Sequence, residues 1–113
     1  MAAVNDTYRT AEFLVSEANG YRSRDQITIT TADADWPAGT VLALLAGDYK
    51  RYDGAAVDTT NVAVGILYEA IGSGETGNRT IINRDAEVEL AALFTTDATG
   101  LEASLLLLGI KAR

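Results

Sequence analysis

The chain has 113 residues, 48% hydrophobic and 22% charged, which fits one folded domain with a single core. Nine basic against sixteen acidic side chains give a net charge of −7, a balance that disfavours a nucleic-acid backbone as main partner. There is no Cys and no His. Disulfides, thiolate chemistry and Ser–His or Cys–His hydrolysis are therefore excluded, and the commonest transition-metal ligand is missing.

From Met1 to about Arg24 the sequence is polar and irregular. It reads as an arm of weak intrinsic order, interrupted by an apolar knot, Phe13-Leu14-Val15, and a turn dipeptide, Asn19-Gly20. Strict alternation over Gln26–Thr30, with Ile27 and Ile29 on one face, predicts the first strand at Gln26–Thr31. The division expected is an arm over 1–25 and a β-rich domain over 26–113. Trp36-Pro37-Ala38-Gly39 suits a type I turn with Pro37 in second place and Gly39 in fourth. Thr40–Leu45 is apolar enough to be a strand buried on both faces. Tyr49–Tyr52 reads as a short strand ended by Asp53-Gly54.

The β-branched run Asn61–Ile71 predicts a strand, with Gly65 marking a bulge or a close backbone approach. Residues 72–78, GSGETGN, form a hairpin loop leading to strands at Arg79–Asn83 and Glu87–Leu93. Thr99 and Glu102 have the spacing of a capping box, and Gly109 stands where a helix terminator belongs. A short helix over Leu101–Leu108 follows, with Leu101, Leu105 and Leu108 on one face, then an extended ending, Ile110–Arg113. No run approaches the ~20 apolar residues of a membrane span, and no positive leader precedes an apolar core.

Each feature suggestive of chemistry has a plainer reading. Asp33 and Asp35 alternate along the chain and would need a turn to converge on a metal, so a solvated turn is the better account. Glu87 and Glu89 share a strand face that meets solvent or a partner's basic groups. The glycine-rich loop lacks the Lys-Ser/Thr of a phosphate site. Tyr49-Lys50-Arg51-Tyr52 has the style of a single-strand nucleic-acid patch, but one cluster on an acidic protein reads as an exposed strand. Trp36, the lone Trp, is a core plug or an interface anchor. No catalytic constellation is legible, and no enzymatic activity, metal or cofactor is expected.

Six stretches in order carry a resemblance: Glu12–Thr30, Trp36–Leu45, Tyr49–Asp53, Asn61–Ile71, Arg84–Leu93 and Leu108–Arg113. Together they resemble the lambda-like head decoration proteins of tailed bacteriophages. The likeness covers most of the chain and is weakest at Met1–Arg9 and Phe94–Ala103. It implies a mainly β domain of the β-clip or β-tulip kind, with one short C-terminal helix and a flexible N-terminal arm. It also implies a homotrimer, made in the host bacterial cytoplasm, on the outer surface of the expanded capsid at three-fold and quasi-three-fold points. The partner implied is the major capsid protein, with no nucleic acid and no membrane. The arm residues expected to meet the capsid are Tyr8, Glu12, Phe13, Leu14 and Val15, ordered on the shell and not in the isolated protein. Trp36, Pro37, Tyr49 and Tyr52 are the candidate interface anchors, and the aromatic ones also motivate an alternative, a virion-displayed module for carbohydrate or cell surfaces.

Overall fold

A computed structural model describes Leu14–Glu17, Arg24–Ile29 and residues 32–113. Among the described residues, eight strands form two sheets. They are β1 (Leu14–Glu17), β2 (Arg24–Ile29), β3 (Val41–Leu45), β4 (Asp48–Arg51), β5 (Gly65–Leu67), β6 (Gly77–Ile82), β7 (Ala86–Val88) and β8 (Ile110–Ala112). One short helix, α1 (Leu101–Leu106), precedes β8. The larger sheet runs β2-β6-β5-β3-β4 with all neighbours antiparallel. The smaller runs β1-β7-β8, in which β1 is antiparallel and β8 parallel to β7. Parallel neighbours need a crossover connection, and the segment containing α1 supplies it.

The continuous apolar runs arise because the larger sheet is covered on both faces. Val41, Ile66 and Ile82 enter one core cluster with Val88, Leu101, Leu105 and Ile110. Their chain neighbours Leu42, Leu67 and Ile81 enter a second cluster with Ile29, Trp36 and Ile71. Each such side chain contributes about 1.5–3 kcal/mol by leaving water. Thr40–Leu45 is thus buried on both faces until its end, where Leu45 emerges.

Two turns show how local chemistry sets the path. Ala46 and Gly47 join β3 to β4 with φ of 53° and 87°, the paired left-handed values of a type I′ hairpin. After Trp36 the turn starts at Pro37, not before it: the Thr40 N–H donates to the Pro37 carbonyl (3.1 Å). Gly39 then occupies the third position with φ 98°, which a type II turn requires and the expected type I does not.

Several boundaries differ from expectation. The strand expected over Asn61–Ile71 is limited to Gly65–Leu67, because Asp58 caps a 3-10 turn at Thr59–Asn61. Gly65 does mark a close approach: a Cβ there would lie 2.8 Å from Ile81 Cδ1. The strand expected over Glu87–Leu93 stops at Val88, and a 3-10 turn occupies Leu90–Ala92. The capping box does not form: the residue before α1 is Gly100 (φ 73°), and the Thr99 N–H donates to Asp97 Oδ1 (2.8 Å).

The largest revision concerns the arm. Leu14–Glu17, read from sequence as weakly ordered, pairs with β7 through Leu14↔Val88 and Glu17↔Ala86. Leu14 packs against the first core cluster, which gives one of the three knot residues a place in the chain's own fold. The boundary drawn at 25 also falls inside β2. Tyr8, Glu12 and Phe13 lie outside the described residues.

Candidate functional site

The aromatic residues that suggested a binding face are mostly consumed by the core. Trp36 is 0% and Tyr52 1% exposed. Trp36 exchanges backbone hydrogen bonds with Ile71 (2.9 and 3.0 Å), and its Nε1–H donates to Asp33 Oδ1 (3.1 Å). The Tyr52 hydroxyl donates to the Thr99 carbonyl (2.6 Å). Burial, then the carboxylates of Asp97 and Asp53, push its pKa above the ordinary phenol value. Neither side chain has surface to offer a partner, so Trp36 takes the core-plug alternative of its reading and Tyr52 is a core residue instead of an exposed anchor. Tyr49 is half-buried against the second cluster while Tyr52 joins the first. Three residues apart on extended chain, they point to opposite faces and cannot form one stacking platform. Pro37 is half-buried at the head of its turn.

The acidic candidates serve the fold. Asp33 holds the Trp36 ring nitrogen, and Asp35 Oδ1 accepts from the Ser73 N–H (2.7 Å). Glu87 Oε2 accepts from Arg113 Nη2 of its own chain (2.7 Å), so its basic group comes from within the fold, not from a partner protein. Asp58 accepts from the Thr60 hydroxyl and N–H, and Asp97 from the Thr99 side chain and N–H. These bonds hold both carboxyls below the usual carboxylate range. Among the described residues no three metal-ligating groups gather.

The surface left for partners is apolar in two zones and charged at the larger sheet's edges. Strand β4 carries Asp48, Lys50 and Arg51, and β2 carries Arg24 and Asp25, a composition that discourages unplanned pairing. One apolar zone comprises Leu45, Val57 and Val62, on the β3–β4 hairpin and the loop beyond it. The other accompanies the smaller sheet: Val15 on β1 is 51% exposed, and Leu106 and Leu107 at the end of α1 are 65% and 85% exposed. Val15 was a predicted contact residue, whereas the exposure of Leu106 and Leu107 was not foreseen. The signal was present, since four consecutive leucines cannot all face inward on a helix that buries Leu101 and Leu105.

Against known proteins, the family model described as bacteriophage lambda head decoration protein D matches residues 3–106. No curated protein matches the chain.

Proposed function

The chain belongs to the bacteriophage lambda head decoration protein D family, whose members decorate the phage capsid, and from that premise we propose how it does so. It binds as a trimer to the outer surface of the expanded capsid, at three-fold and quasi-three-fold points, and clamps neighbouring major capsid proteins together. The observation that carries this reading is the family match over residues 3–106. The distribution of apolar surface supports it, because Val15, Leu106 and Leu107 accompany the small sheet from which the N-terminal arm departs.

In this reading Tyr8, Glu12 and Phe13 engage the capsid lattice, with Leu14 and Val15 at the root of the arm. An extended arm that adds to a neighbouring sheet edge gains main-chain hydrogen bonds, and its alternate side chains supply specificity. Three such arms on one trimer raise the effective affinity through multivalency. The protein is made in the bacterial cytoplasm and ends on the virion. The carbohydrate-binding alternative loses two of its three aromatic motives, because Trp36 and Tyr52 have no accessible surface and only the half-buried Tyr49 remains.

The test is direct. Purified protein is mixed with expanded, undecorated capsids of its own phage and sedimented. Near-stoichiometric co-sedimentation is expected, and its absence would remove the proposal.

A further inference from the structure

A pocket of about 580 Å³ opens to solvent where Trp36 bridges Ile71. These two buried residues form its floor, and Pro37, Ala70 and Phe94 keep apolar surface around it. Backbone hydrogen bonds set the walls. Trp36 and Ile71 exchange two (2.9 and 3.0 Å), Phe94 N–H donates to the Gly39 carbonyl (3.0 Å), and Val41 N–H donates to the Phe94 carbonyl (2.9 Å). The pocket is thus preformed, as binding sites usually are. Two carboxylates stand at its rim. Asp35 Oδ1 accepts from the Ser73 N–H (2.7 Å), and Glu75 Oε1 accepts from the Gly72 N–H. One oxygen of each carboxyl is held in this way. Among the described residues the second oxygen of each accepts nothing. No Lys or Arg among those residues lines the pocket. Arg79 Nε donates to the Ala70 carbonyl (3.1 Å) and pairs with Glu69 (3.8 Å).

We propose that this pocket receives an arginine side chain presented by another polypeptide. Apolar walls under two spare carboxylate oxygens call for an apolar stem that ends in a cation, and only Arg and Lys have that build. Arg suits the rim better. Its planar fork carries several donors and can reach carboxylates on two separate segments at once, whereas an ammonium acts as a single point charge. The open mouth selects a side chain over a free small molecule. Small-molecule sites enclose about 70–90% of their ligand. Here one side stays in solvent, where a partner's backbone can run. Two negative charges at the mouth, on a chain of net charge −7, also draw in a basic segment. The inference goes beyond capsid decoration and does not rest on it.

The probe is the peptide acetyl-Arg-Leu-amide, with its neutral citrulline counterpart as isostere. Each is titrated into the isotope-labelled full chain and followed by NMR at the amides of Gly72, Ser73 and Phe94 and at the Trp36 indole. Saturable shifts confined to the pocket are expected, with a Kd of about 1 mM. The citrulline peptide is expected to bind about fivefold or more weakly, a comparison that needs no variant to fold. Asp35→Asn and Glu75→Gln keep the oxygen that holds the Ser73 and Gly72 N–H groups and remove only the charge. Each should weaken binding about two- to fivefold with Tm retained, and added salt should do the same. Asp48→Asn removes an equal charge from the β3–β4 hairpin and should leave Kd unchanged. No saturation at about ten times the expected Kd overturns the inference. So does equal binding of the citrulline peptide, or a loss on Asp48→Asn that matches Asp35→Asn. Ethylguanidinium binding as tightly as the peptide would assign the pocket to free small cations and overturn it too. Arg9→Gln or Arg22→Gln that strengthens peptide binding would reveal the chain's own basic residues as competitors, which likewise removes the assignment to another polypeptide.

Discussion

Gly54 is expected to be the most demanding glycine in the molecule. A Cβ at this position would lie 1.8 Å from the Thr99 carbonyl oxygen and 2.7 Å from its carbon, both backbone atoms. Non-bonded atoms come no closer than about 3 Å, so Gly54→Ala must drive the two segments apart by more than about 1 Å. Two hydrogen bonds span that gap: Gly54 N–H to the Asp97 carbonyl (2.9 Å) and the Tyr52 hydroxyl to the Thr99 carbonyl (2.6 Å). Losing or stretching each costs about 1 kcal/mol, and overpacking adds about 1–3 kcal/mol. The sum is about 3–5 kcal/mol, or a fall in Tm of more than about 12 °C for a domain of this size. Gly47→Ala is the control. Its φ is 87° but no atom lies within 4 Å of the added carbon, so only backbone strain of about 1 kcal/mol applies. Urea unfolding followed by the fluorescence of the lone buried Trp36 reads both variants, compared at equal m-values. If Gly54→Ala costs less than Gly47→Ala, steric closure between the Asp53 and Thr99 segments is not what constrains Gly54.

Further outcomes follow from the same contacts. Trp36→Ala empties the centre of the second cluster and should cost about 3–5 kcal/mol by circular dichroism, where a loss under about 1 kcal/mol would mean Trp36 is not core. Leu14→Ser should cost about 1–2 kcal/mol because Leu14 packs on the first cluster, whereas Val15→Ser should stay within about 0.5 kcal/mol while weakening capsid binding. Equal stabilities for those two variants would return the whole knot to the arm. Asp58 and Asp97 have lowered folded-state pKa values, so the unfolded chain binds their protons first as pH falls. Their stabilisation is complete above the ordinary value of 3.8 and is lost as pH drops through the folded values, so Asp58→Asn or Asp97→Asn should flatten the acid limb of the urea midpoint. Tyr52 has a raised pKa, so its contribution is complete below 10.0 and is lost as pH rises through the folded value. Tyr52→Phe should remove that alkaline limb, and an unchanged profile would detach the hydroxyl from stability.

Much of the architecture was legible in local pattern. Alternation from Gln26 announced β2, the run at Thr40–Leu45 announced a strand covered on both faces, and the spacing of Leu101 and Leu105 announced α1, which ends at Leu106 instead of the expected Leu108. These signals survive because they depend on neighbours within a few residues, whose side-chain directions the backbone period dictates. The ordered resemblance carried the family on the same footing. Tertiary structure decided what depends on distant partners. Leu14 became sheet because Val88 lies opposite it. Trp36 and Tyr52 lost their candidacy as anchors because Ile71 and Thr99 close over them. Leu106 and Leu107 gained theirs because the buried face of α1 had already been claimed by Leu101 and Leu105. An aromatic or a leucine looks the same in sequence whether it faces a core or a partner. Only the packing of remote segments decides which of them keeps its surface.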